Sequence, residues 1–158
     1  MQGGYNNMKI RNAFTMIELV FIIVIIGILA VTALPRLAAT RDDAKRSTIA
    51  HNTMVAAEDI AAYAIARGKT ASDLSEMSYA VEEMVNSGDA SKSGTTLNVH
   101  WGGVSNCIVL KINNQGAHTE TLVINADDSG SGSECDKLRS LIDSSSFPMP
   151  LHGTLISI

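Results

Sequence analysis

From Ala13 to Leu34 the chain reads AFTMIELVFIIVIIGILAVTAL, and only Thr15, Glu18 and Thr32 in it are polar. As a helix rising 1.5 Å per residue this run measures about 33 Å, close to the hydrocarbon thickness of a bilayer. It is apolar on every side, so it lacks the polar face that a helix on the outside of a water-soluble domain needs. Glu18 is the awkward residue, because a charge within a spanning helix costs roughly 3 kcal/mol on insertion scales. Three structures suit the run. A secretory signal would use Lys9 and Arg11 as its basic start and Val31-Thr32-Ala33 as its cleavage site. That run would be longer than a usual signal core, with Glu18 interrupting its start. A buried core helix would ordinarily be shorter and amphipathic. A membrane helix that later packs on copies of itself would use Gly27, Ala30 and Ala33, whose small side chains let helices approach closely in lipid. Pro35 has no amide hydrogen and leaves the Val31 carbonyl without its helical donor, so a kink or loosened turn is expected there.

The rest of the 158-residue chain, about 120 residues, suffices for one small domain with its own core. All sixteen acids follow residue 13, and from Ser47 onward six basic residues face thirteen acidic ones, a net charge of −7. That is a poor match to a nucleic-acid backbone, and no nucleic-acid partner is expected. Arg36, Arg41, Lys45 and Arg46 follow the apolar run, where anionic lipid headgroups would lie. The sequence contains no nucleotide loop, zinc signature or nucleophile elbow. His51, His100, His118 and His152 are scattered and read as surface or core residues. A membrane-tethered enzyme therefore has no support, and no cofactor is expected. Cys107 and Cys135 form no CxxC pair; they are buried free thiols or, in an exported domain, one disulfide.

The segment FTMIELVFIIVIIGILAVTALP resembles the N-terminal segment of type IV pilins and type II secretion pseudopilins. The resemblance rests on Phe-Thr-x-Ile-Glu, the apolar run, Gly27 and Pro35, and covers about the first 35 residues. It implies a leader, residues 1–13, cut between Ala13 and Phe14 by a membrane aspartic peptidase on the cytoplasmic side, followed by N-methylation of Phe14. The family's usual glycine before the cut is Ala13 here. Translation starts at Met1 or at Met8, since MKIRNA alone would form a short leader. Residues 14–35 become a transmembrane helix and later filament core, with Glu18 pairing with the N-terminal amine of a neighbouring subunit and so setting the stagger. Assembly loosens the helix between Gly27 and Pro35. The basic residues after the run outnumber those before it, which by charge alone would keep the head in the cytoplasm. Large domains translocate largely regardless of charge, and the resemblance places the head in the periplasm. It also implies a disulfide in the C-terminal part; between Cys107 and Cys135 it would enclose 27 residues.

Residues 36–158 are expected to form an amphipathic helix and a globular head. Helical spacing continues to about Arg67, with Ile49, Ala56, Ile60 and Tyr63 on one face and Gly68 as the stop. The spacing predicts one helix of roughly 50 residues or two broken at Pro35. A second helix is expected over residues 71–85, with Leu74, Met77, Val81 and Met84 inward, a Thr70/Asp73 cap and Gly88 as its close. NSGDASKSG reads as a loop. TTLNVHW, CIVLKIN and TETLVIN read as strands, with NNQG a hairpin turn between the last two and Trp101 at the sheet edge or under a loop. SECDKLRSLID reads as a short helix capped by Ser133, with Cys135, Leu138, Leu141 and Ile142 inward, and GTLISI as a final strand. The fold class is α+β, a long helix packed on a small antiparallel sheet, which is what the resemblance implies. Asp127, Ser129 and Ser131 mimic the start of a calcium loop, but Leu138 stands where its bidentate acid belongs, and a flexible acidic loop suits the stretch better.

The expected function is a structural subunit of a type IV pilus or type II secretion pseudopilus. Its partners would be copies of itself and related pilins, the prepilin peptidase and methyltransferase, an assembly ATPase, an inner-membrane platform and the inner membrane itself. The alternative is a minor or tip subunit whose head binds a surface or DNA.

Overall fold

A computed structural model describes residues 14–125 and 129–152. The protein is α+β, with an apolar N-terminal helix and a five-stranded antiparallel sheet. Helix α1 runs Met16–Arg67. The chain divides into two compact units, residues 1–41 and 42–158; the first part of α1 lies in the former, and its second part with the head in the latter. Of the two expectations for residue 35, helical backbone holds there, without a break in α1.

In the first unit the window Met16–Ala33 has a mean hydropathy of 2.8 and none of it is buried. It is long and apolar enough to cross a membrane, a test that a signal sequence also passes. In the second unit the helical period decides which side of α1 is covered. Ile49, Ala56, Ile60 and Ala64 are buried, and Tyr63 packs on the core they enter. Arg67 stacks on Tyr63, and Gly68, at φ +67°, ends the helix in a conformation that glycine adopts without steric cost.

The expected helix over residues 71–85 is two pieces, a 3₁₀ turn Leu74–Glu76 and helix α2 Tyr79–Asn86. Asp73, not Thr70, caps the first, its Oδ1 accepting from the Ser75 amide. Ser78 is extended and its hydroxyl donates to Asp59 of α1 at 2.8 Å, so the chain breaks helix there to reach across to α1. Leu74, Met77, Val81 and Met84 are all buried as the spacing predicts, and Gly88 follows α2 at φ +78°.

The strands β1 Ala90–Ser93, β2 Thr96–Trp101, β3 Val104–Asn113, β4 Thr121–Ile124 and β5 Met149–Pro150 pair in chain order. β2, β3 and β4 match the three predicted strands. β1 lies in the stretch expected to be a loop: it is short and polar, and its pairing with β2 through the Gly94 turn makes it a strand. Register puts Leu97 opposite Leu110, Val99 opposite Ile108 and Ile112 opposite Leu122, all buried. Cys107 and Val109 take the opposite face of β3, as the pleat requires, and are buried too. Asn114 and Gly116, at φ 55° and 82°, turn the chain between β3 and β4 where NNQG predicts it.

Helix α3 is Ser133–Arg139, and its N-cap is Gly132 rather than Ser133. Because α3 stops at Arg139, Leu141 falls off its inward face and is half exposed, whereas Cys135, Leu138 and Ile142 are buried. The expected strand GTLISI lies outside the described residues. The closing strand among those described is β5, which sits at the sheet edge, where a proline removes no needed ladder bond.

Candidate functional site

At the N-terminal end, Ala13 lies outside the described residues, and Phe14, 75% exposed, precedes α1 by two residues. Thr15 starts the helix: its carbonyl accepts from the Leu19 amide at 3.2 Å and its Oγ1 from the Glu18 amide at 3.3 Å. That is one half of a capping box, Thr-x-x-Glu, in which the acid also sits where the helix dipole favours negative charge. Sequence reading passed over Thr15, although the four-residue pattern carries the signal. Glu18 thus has a local reason to be an acid, alongside any role between subunits. Gly27 has no heavy atom within 4 Å of where a Cβ would sit, and Ala30 is half-buried beside exposed Ala33. Pro35 lies within α1.

In the head, Cys107 of β3 and Cys135 of α3 form a disulfide, with Cα atoms 5.3 Å apart and both side chains buried. Arg139 reinforces the same joint, donating to the Cys107 carbonyl at 2.9 Å and to the Gly130 carbonyl. Of the suspected calcium residues, Asp127 lies outside the described residues, Ser129 is half-buried and Ser131 is exposed. Among the described residues no three His, Cys, Asp or Glu side chains converge as metal ligands. Lys45 and Arg46, of the basic cluster after the apolar run, make ion pairs within the second unit. Lys45 pairs with Asp89 at 2.8 Å, and Arg46 pairs with Asp43 and Glu134 while lying 5.6 Å from the Trp101 ring centroid.

The strongest polar centre of the head is Glu120, which sequence reading also passed over. Glu120, Leu122 and Ile124 share one parity, so a strand that buries the latter two turns the acid inward as well. It is 2% exposed. Its Oε1 accepts from the Thr70 hydroxyl at 2.8 Å and from the Gly116 amide, and its Oε2 meets His152 Nε2 at 2.7 Å. One carboxylate thereby ties the segment after α1, the β3–β4 turn and the chain after β5. Burial pushes the Glu120 carboxyl up, but the bonds from Gly116, Thr70 and His152 outweigh it and hold the group below its ordinary range. Folding therefore gains from this carboxylate above the unfolded glutamate value of about 4.3, and the gain is lost as pH falls through the lower folded value. Glu120→Gln is expected to cost about 1–3 kcal/mol at pH 7, since one buried donor loses its acceptor, and to flatten the decline in stability below pH 4. Urea unfolding of both proteins between pH 3 and 7 measures it; identical acid slopes contradict the assignment.

Glu120 forms the floor of a cleft of about 600 Å³ whose walls include Lys69, Ser72, His118 and His152. In comparisons with family models, curated proteins and solved structures, nothing matches the chain.

Proposed function

We propose that this chain is the precursor of a filament subunit, of the type IV pilus or type II secretion pseudopilus kind, structural rather than catalytic. The observation that carries this reading is the uncovered apolar stretch Met16–Ala33, opened by Phe14, Thr15 and Glu18. Such a surface requires lipid or other apolar helices around it. The subunit first resides in the inner membrane with its head in the periplasm. A prepilin peptidase cuts after Ala13 and the new amine of Phe14 is methylated. An assembly ATPase and an inner-membrane platform then move it from bilayer to filament, where the same apolar surface meets copies of itself.

Processing is the direct test. Coexpression with a prepilin peptidase and mass spectrometry of the product are expected to give an N-terminus at Phe14 carrying one added methyl group. A product starting after Ala33 would make the segment a secretory signal and sink the proposal; an uncut chain would do the same.

A further inference from the structure

We propose that the cleft beside Glu120 is a binding site for a small carboxylate monoanion of about sugar-acid size. The head carries −7 from Ser47 onward, yet Glu120 is the one acid among the described residues lining this cleft. Glu120 is also engaged: Oε1 accepts from Thr70 and Gly116, and Oε2 is bonded to His152. It therefore acts on a ligand only through the imidazole it positions. Of the other polar side chains at the wall, Thr70 donates to Glu120 and Gln115 to the Ala71 carbonyl, which leaves Lys69, Ser72, His118 and His152: one ammonium, with a hydroxyl and two imidazoles that can donate or accept. The two imidazoles are neighbours, with ring centroids 6.4 Å apart and planes at 68°.

The walls are tied before any ligand arrives. Gln115 Nε2 donates to the Ala71 carbonyl at 2.8 Å, and the Leu151 amide donates to the Glu120 carbonyl at 3.0 Å, so three separate chain segments hold the cleft open. A preformed site avoids the ordering cost that weakens flexible ones. About 600 Å³ falls within the range of small-molecule sites.

The charge of the ligand follows from where the cleft lies. Gly68, Lys69 and Thr70 come directly after the C-terminus of α1, the end whose unpaired carbonyls carry partial negative charge. The Gly116 amide at the cleft is spent on Glu120. A dianionic phosphate is thus poorly served, whereas one carboxylate suits a single ammonium assisted by neutral donors. Sugar hydroxyls suit the remaining polar wall.

The site stands apart from the filament reading, since binding is measured on unassembled protein. Full-length protein in detergent micelles, with histidine imidazoles isotope-labelled, would be titrated with D-galacturonate, its neutral counterpart D-galactose, and inorganic phosphate. Galacturonate is expected to shift the His118 and His152 resonances saturably, and Lys69→Gln to weaken binding at least tenfold while leaving the thermal midpoint unchanged. His118→Asn, a second exposed change outside the Glu120 bonds, is expected to weaken it as well. No saturable shift, or equal binding of galactose, overturns the proposal. Binding of phosphate without galacturonate overturns the carboxylate assignment.

Discussion

Glu18→Ala is expected to yield a membrane-resident chain, still cut after Ala13, that assembles filaments at no more than about a hundredth of the normal amount. On the proposed reading, cleavage creates a positive amine on Phe14, and the filament interior offers it no water. Removing one partner of a buried ion pair costs about 3–5 kcal/mol because the other charge is left bare. At 1.4 kcal/mol per factor of ten this exceeds a hundredfold for each subunit added. The helix start capped by Thr15 is a competing, purely local feature, in which the acid meets only the helix dipole, and the two are separable. The Glu18 amide that donates to Thr15 is backbone and survives in Glu18→Ala. Thr15→Ala removes the cap and leaves the carboxylate. If the charge sets assembly, Glu18→Ala and Glu18→Gln both fail, and Thr15→Ala assembles within a few fold of normal. Shearing and quantifying filaments from the three strains, with membrane fractions as the loading control, decides it. Normal yield from Glu18→Ala, or equal failure of Thr15→Ala, removes the charge-pairing account.

Local pattern carried most of the fold. The second part of α1 follows from apolar spacing that continues to Arg67, and β2, β3 and β4 from runs rich in β-branched residues. What escaped depends on partners far along the chain. The break at Ser78 comes with a bond to Asp59, nineteen residues earlier. β1 has almost no strand character in Ala-Ser-Lys-Ser and exists because β2 offers it a ladder. At the N-terminal site the roles proposed for Phe14 and Glu18 rest on adjacent positions alone. The Thr15 cap was equally local and only overlooked. The Glu120 cluster divides the same way. Its inward direction follows from strand parity with Leu122 and Ile124, whereas Thr70, fifty residues before it, and His152, thirty-two after, are brought in by the fold alone. The cysteine pair sat between these cases: two thiols in a suspected exported domain suggested a bond, but only the juxtaposition of β3 with α3 makes it.

That bond is expected to be the largest single contribution to the head's stability. Replacing both Cys107 and Cys135 by alanine should lower the thermal midpoint by about 10–20 °C. The chain-entropy estimate for a separation of 28 residues is about 3–4 kcal/mol. For a domain near a hundred residues each kcal/mol moves the midpoint by roughly 4–8 °C, and somewhat less for a larger one. The loss should also be local. With seven residues α3 cannot hold itself helical in water and relies on what fixes it to β3. Without the disulfide, Leu138 and the Arg139 bonds to the Cys107 and Gly130 carbonyls remain. Amides of α3 should therefore exchange with solvent far faster, while those around Ile49, Ile60 and Leu110 in the core keep most of their protection. Trp101, the one tryptophan, lies beside this joint: its carbonyl is 4.0 Å from Cys135 Sγ, so its fluorescence reports the change directly. Melting of the full chain in detergent followed by that fluorescence, together with hydrogen exchange, tests both parts. A midpoint lowered by less than about 3 °C would show that packing and the Arg139 bonds alone secure α3. Uniformly faster exchange through α1 and the sheet would show instead that the disulfide stabilises the head as one unit.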